Sequence, residues 1–156
     1  MYQNSEKDQE IRERNRKTVE HYFELPHGSE ELAALHAPDC MWEQPYFQPG
    51  VVSAYFPQED PDAPMPDFPE GFEIPEFTPE WHWYPVKIYG TDDPSYFFAE
   101  NGGYGLQLIE DNTIQPYENY YFHTFHFNEE GLIDYYREIA NPLSHSFVVF
   151  VSESTV

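Results

Sequence analysis

Basic residues are scarce in this chain, and most of them come early. Of seven lysines and arginines, five fall within the first 17 of 156 residues: Lys7, Arg12, Arg14, Arg16 and Lys17. After Thr18 only Lys87 and Arg137 remain, against 29 acids and a formal charge of -22. So negative a surface repels nucleic acid and anionic membranes, and neither is expected as a partner. The one cysteine, Cys40, excludes an intrachain disulfide and suits a reducing, cytoplasmic compartment. Long apolar runs are missing too: none approaches the ~20 residues of a membrane span. Met1 to Glu6 lack the hydrophobic core of a signal peptide. Metal-ligand spacing is absent. His82, His123, His126 and His145 are scattered, and His123 and His126 fall on opposite faces of a strand, so no metal or other cofactor is expected. The glycine-rich Asn101–Gly105 lacks the pattern of a phosphate cradle. Neither a Ser-His-Asp nor a Cys-His arrangement can be read.

Acids and aromatics are in excess. The acidic surplus is explained by solubility or an acidic or salty habitat, or more sharply by a cationic partner. The 13 Phe, 13 Tyr and 3 Trp suit an aromatic core with hydroxyls at its rim, and equally a half-polar cavity lining. A single domain of this length buries about 70% of its extended-chain surface and folds without staples.

Taken in order, residues 6–24 read as a helix. Ser5 and Asp8 form a capping box, and Ile11, Asn15, Thr18, Val19, Tyr22 and Phe23 share a face at helical spacing. Pro26 and Gly28 stop it, Ser29 caps a short second helix bearing Leu32 and Leu35, and Pro38 ends that one. His27 and His36 read as surface or cap residues. Asp39–Gln44 reads as a first strand, resumed by Val51–Tyr55 after Pro45 and Pro49-Gly50. Residues 57–79 hold seven prolines, seven acids and no basic residue. They are expected to be irregular. Phe68, Phe72, Ile74 and Phe77 favour a folded-back lid over a disordered segment.

Strands return at Trp81–Gly90, where Pro85 implies an edge or a bulge. A turn at Thr91–Pro94, a strand from Ser95 to Glu100, the glycine-rich bend and Leu106–Ile109 beyond a bulge come next. Phe147–Val151 closes the chain as a short strand or a dimer contact. Helices first and antiparallel strands after give an α+β fold, a helix packed on a bent sheet around a cone-shaped cavity.

The chemistry gathers in one hairpin, Tyr117–Phe127 and Leu132–Asn141. Alternation places Asn119, Tyr121, His123, Phe125 and Phe127 on one face, with Asp134, Tyr136, Glu138 and Ala140 on one face of the partner strand. If Phe127 pairs with Leu132, then Tyr121 faces Glu138 and His123 faces Tyr136. A buried Glu138 would gain proton affinity and act as general acid or base, with His123 as its helper. Tyr121 and Tyr136 could donate to an oxyanion. The plain alternatives are a salt-bridged or exposed Glu138 and a satisfied core His123. Arg137 points to the other face, toward an acidic partner.

Several uncommon residues recur in a family pattern. Tyr117-Glu118-Asn119, His123-Thr124-Phe125, Gly131-Leu132-Ile133, Arg137-Glu138 and Asn141 carry it, with Ile11-Arg12, Asn15-Arg16, Thr18-Val19-Glu20 and Tyr22 at the front. Pro79-Glu80-Trp81-x-Trp83 and Asp93-Pro94-x-x-Phe97 add to it. The chain resembles the phenazine biosynthesis A/B proteins over residues 10–44 and 79–142. The resemblance implies the nuclear transport factor 2-like fold, shared with ketosteroid isomerases and SnoaL-like cyclases: a homodimeric cone of curved antiparallel sheet closed by N-terminal helices. It implies cofactor-free acid/base catalysis of condensation or isomerisation on a small cyclic ketone or amino-ketone. Glu138 would be the pocket glutamate, and Trp42, Tyr121, Tyr136 and Asn119 would line the substrate. The family's upstream histidine and serine and its carboxylate-binding arginine have no counterpart here, where the positions fall near Glu70 and Ile74. Two other readings stand beside it: a non-catalytic ligand-binding or scaffold protein with the acidic stretch as partner surface, and an isomerase of the ketosteroid type.

Overall fold

The computed structural model describes residues 5–26, 29–45, 53–57, 81–109 and 113–141, without the side chains of 53–57, 106–109 and 113–115. The lid expected from the proline-rich stretch and the closing Phe147–Val151 run lie outside the described residues.

Helix α1, Glu6–Tyr22, begins where the sequence predicts. The Asp8 backbone N–H donates to Ser5 Oγ at 3.1 Å, and the Ser5 N–H donates to Asp8 Oδ2 at 3.0 Å. The Ser5 side chain first, and its backbone N–H second, hold the Asp8 carboxyl below its usual range. Val19 and Tyr22 are buried against the sheet, with Asn15 beside them. The scarce cations serve this helix. Arg12 donates to the carbonyls of Thr91 and Asp92, Arg14 to that of Glu129, and Asn15 Nδ2 to that of Pro94 at 3.1 Å. One helix thus fastens two strand-connecting turns through backbone acceptors that would otherwise need water.

Helix α2, Glu30–Ala33, is a single turn capped by Ser29. Pro38 does not end it. The proline lies inside strand β1, His36–Pro45, in the interval where pairing to strand β6 slips between His36 and Met41. A proline is tolerated there because a bulge needs no ladder donor. His36 is half-buried rather than a surface cap; its Nδ1 lies 3.1 Å from the Leu32 carbonyl and its ring meets Tyr22.

The remaining strands are β2 Ser53–Pro57, β3 His82–Gly90, β4 Tyr96–Ile109, β5 Thr113–Phe127 and β6 Ile133–Ala140. They form one six-stranded sheet in the order β2-β1-β6-β5-β4-β3. The expectation of a wholly antiparallel sheet is corrected: β1 and β6 run parallel. They are far apart in sequence, so no hairpin turn constrains their direction. Strand β3 is one edge of this order, opposite β2, and its pairing shifts between Tyr84 and Lys87, around Pro85.

Asn101–Gly105 is not a bend. Strand β4 pairs with β5 without interruption from Tyr96 to Ile109. The glycines are there for room. A Cβ on Gly103 would sit 2.3 Å from Trp81 Cζ2, and one on Gly102 would sit 2.9 Å from the Tyr84 carbonyl oxygen. Indole rings fill the space beside Gly103, and Tyr84 fills that beside Gly102. Trp81, Tyr117 and Tyr121 form a small cluster with Trp83 packed against it. A larger core joins Val19, Tyr22, Cys40, Phe97, Phe125, Phe127, Ile133 and Tyr136. Burial pushes the Cys40 thiol up to about 12, which marks it as an inert core residue.

Candidate functional site

Strands β5 and β6 alternate faces as predicted, but the pairing differs by two residues. His123 faces Glu138, Phe125 faces Tyr136 and Tyr121 faces Ala140. The slip is absorbed by an irregularity between His126 and Phe127, just before the turn. Because the shift is even, every side chain keeps its face. The predicted hairpin face therefore survives with different partners.

On that face runs a line of hydrogen bonds. Asn101 Oδ1 on β4 lies 2.8 Å from His123 Nε2, and His123 Nδ1 lies 2.7 Å from the Tyr136 hydroxyl. The Tyr136 hydroxyl is 3.1 Å from Glu138 Oε2, and Gln44 Nε2 on β1 donates to Glu138 Oε1 at 2.9 Å. The Tyr22 ring, from α1, packs 5.4 Å from that of Tyr136. Four strands thus converge on one buried polar chain, and its His123–Tyr136–Glu138 links have hydrogen-bond length.

Electrostatics follow from burial. The Glu138 side chain is 15% exposed. Desolvation pushes its carboxyl up to about 7, against the opposing hydrogen bonds from Tyr136 and Gln44. His123 is wholly buried, and desolvation lowers it to about 3, so the ring is neutral at physiological pH. The 3.9 Å approach of His123 Nδ1 to Glu138 Oε2 is accordingly not an ion pair. Tyr136 and Tyr121 are both pushed upward, first by burial and then by the Glu138 charge, so each remains a hydrogen-bond donor.

The other predicted residues sit around this chain. Trp42 is half-buried with its ring 6.0 Å from Tyr136. Tyr121 stacks on His123 at 5.8 Å, and its hydroxyl meets that of Tyr117 at 3.5 Å. Asn119 is engaged inside the protein. Its Nδ2 donates to the Tyr117 hydroxyl and the Asn141 carbonyl, and its Oδ1 accepts from the backbone N–H groups of Tyr120 and Asn141. Arg137 projects to the opposite face and pairs with Glu43 of β1, as its position in the strand predicts. Among the described residues, no three of His, Cys, Asp and Glu converge as a metal site would require. No helix of the described residues is long and apolar enough to cross a membrane.

Sequence reasoning missed two members of the chain, Asn101 and Gln44. Asn101 was hidden by being read into a glycine-rich bend. Gln44 carries a usable signal, because it shares strand parity with Trp42.

The family model for phenazine biosynthesis protein A/B matches residues 70–152. Phenazine biosynthesis protein PhzA2 of Pseudomonas aeruginosa is 33% identical over 139 residues, which are 86% of this chain and 79% of that protein. Phenazine biosynthesis protein PhzB of Pseudomonas fluorescens is 29% identical over 86% of this chain and 79% of its own. Among solved structures, a phenazine biosynthesis-related protein from Pseudomonas aeruginosa superposes with a TM-score of 0.71 at 23% identity, covering 90% of this chain and 87% of that one. A putative polyketide cyclase from Xanthomonas campestris pv. campestris superposes with a TM-score of 0.55 at 15% identity, over 86% and 96% of the two chains. The fold is thus the α+β, nuclear transport factor 2-like one that the resemblance implies, with an open mixed sheet.

Proposed function

The chain belongs to the phenazine biosynthesis A/B family, and from that premise we propose that it binds a small cyclic ketone or amino-ketone and promotes its condensation or isomerisation. Glu138 transfers the proton. The observation that carries this reading is the Glu138 carboxyl itself, enclosed and raised to about 7. Near neutrality it can both release and recover a proton, which a general acid/base must do in each turnover. Tyr136 steadies it, and the half-buried Trp42 offers flat apolar surface to a ring, while Tyr121 is packed inside the same face.

The positions of the cations bear on the ligand. All seven Lys and Arg lie in described residues. Lys7 and Lys17 are exposed on α1, Arg16 pairs with Glu20, Lys87 with Glu100 and Arg137 with Glu43, while Arg12 and Arg14 hold turn carbonyls. None joins the Glu138 network. A neutral or protonated amino-ketone suits such a site better than a carboxylate, whose charge would lie desolvated without a partner. Turnover of cyclic amino-ketones by the wild type and by Glu138→Gln tests the proposal. Equal activity in the two removes Glu138 from the mechanism.

A homodimer in the cytoplasm is part of this reading. Its support is the outward sheet face, where Tyr84, Tyr104, Tyr120 and Phe122 are exposed together. Light scattering of the purified protein tests it, and a monomer contradicts it.

One observation favours a non-catalytic binding role instead. The His123 ring is enclosed by Phe23, Trp83, Tyr121, Phe125 and Tyr136. A ligand therefore cannot touch it, and His123 acts only through Tyr136. Calorimetric binding of an amino-ketone without turnover would favour this second role.

A further inference from the structure

Of the buried asparagines, Asn15 and Asn119 use both ends of their amides within the protein. Asn101 does not. It is fully buried, its Oδ1 is committed to His123 Nε2, and its Nδ2 has no hydrogen-bond partner among the described residues. A fold that leaves a buried amide donor orphaned carries a cost. What the cost secures is the direction of one hydrogen bond.

We propose that Asn101 is a positioning residue which sets the tautomer of His123 and, through Tyr136, keeps the proton on Glu138. With Oδ1 facing it, Nε2 must be the protonated ring nitrogen. A neutral ring then leaves Nδ1 as an acceptor, and among the described residues the group in reach to donate is the Tyr136 hydroxyl. That hydroxyl has a single hydrogen. Once given to His123, it is not available to the Glu138 carboxylate 3.1 Å away. The Tyr136 oxygen keeps its lone pairs and accepts from Glu138 when Glu138 carries a proton.

The ionised Glu138 is best served by the opposite arrangement, in which Tyr136 turns its hydrogen to the carboxylate and the ring carries its proton on Nδ1, donating to the Tyr136 oxygen. Nε2 is then an acceptor, which the observed Asn101 orientation cannot satisfy. Only a half-turn of the amide, bringing Nδ2 to Nε2, would do so. Asn101 therefore weights the chain toward protonated Glu138, adding to the effect of desolvation. The other titratable groups facing Glu138 are Tyr22 of α1, Tyr121 and Tyr117 of β5 and Tyr136 of its own strand. All four hydroxyls are raised and stay neutral, so none competes for this role.

The inference rests on Glu138 being the proton-transfer group, but its test needs no turnover. In wild type, ¹⁵N NMR of the His123 ring should show a protonated Nε2 and an unprotonated Nδ1 at pH 6. In Asn101→Leu, which keeps the bulk and removes the acceptor, the proton should move to Nδ1. The Glu138 side-chain ¹³C titration should then fall by about one pH unit, because Tyr136 is free to donate to the carboxylate. A wild-type ring protonated at Nδ1 overturns the proposal even if the variant does not fold. So does a folded Asn101→Leu whose Glu138 midpoint is unmoved. If the titration shifts as stated while Glu138→Gln keeps full turnover, the catalytic reading fails and this one stands.

Discussion

His123 and Glu138 are direct partners across strands β5 and β6, with Nδ1 and Oε2 3.9 Å apart and the Tyr136 hydroxyl bonded to both. Burial moves the two groups in opposite directions, the acid up to about 7 and the imidazole down to about 3. Each is neutral over the range in which its exposed counterpart would be charged.

That relationship gives stability a specific pH dependence. The raised Glu138 binds a proton in the folded state that the unfolded chain releases. Its contribution is complete below about pH 4.5 and is lost as pH rises through about 7, a change of about 3 kcal/mol. The lowered His123 contributes the other way, fully above about pH 6.5 and lost as pH falls toward 3. Between about pH 4.5 and 6.5 the two slopes oppose each other. In Glu138→Gln the acid's share disappears. Urea denaturation from pH 7.5 to 4.5 should show the wild type gaining on the variant as pH falls. A constant difference would show that Glu138 ionises normally.

Gly103→Ala should destabilise the fold by about 1–3 kcal/mol, since the new methyl meets Trp81 and Trp83 ring carbons at 2.3 and 2.9 Å. Gly90→Ala is the control. Its nearest neighbour is an Arg12 guanidinium nitrogen at 3.3 Å, the end of a long side chain that can shift. Thermal denaturation of the pair should separate them clearly, and equal losses would contradict the packing given for β4.

Arg137→Met removes the charged partner of the buried Glu43 on the outward face and leaves it the Tyr135 hydroxyl. A loss of about 1–3 kcal/mol is expected from the weakened charge-assisted hydrogen bond. The Glu138 titration should not move, because the two residues occupy opposite faces of β6. A moved titration would refute that separation.

Much of this arrangement was legible before any coordinates. Period-two alternation placed Tyr121, His123, Tyr136 and Glu138 on common faces, and Ser5 with Asp8 marked the start of α1. Register was harder. It depends on an irregularity beside Phe127 that no local propensity announces. The even slip preserved the faces while changing the partners. Asn101 was lost for a related reason. Gly102 and Gly103 read as a turn from composition, but in the fold they are gaps that Trp81, Trp83 and Tyr84 occupy from a strand many residues earlier. Pro38 likewise reads as a helix stop until the slip in β1 pairing is known. Each of these misreadings turned on a contact distant in sequence, where tertiary packing outweighs local preference.

The measurement closest to the central claim is kcat/KM against pH, on a cyclic amino-ketone, for the wild type and Glu138→Gln. The account predicts an inflection near pH 7 in the wild type. In the variant that inflection should be absent and the rate lower by about 10²–10⁴-fold. Superimposable profiles would contradict it.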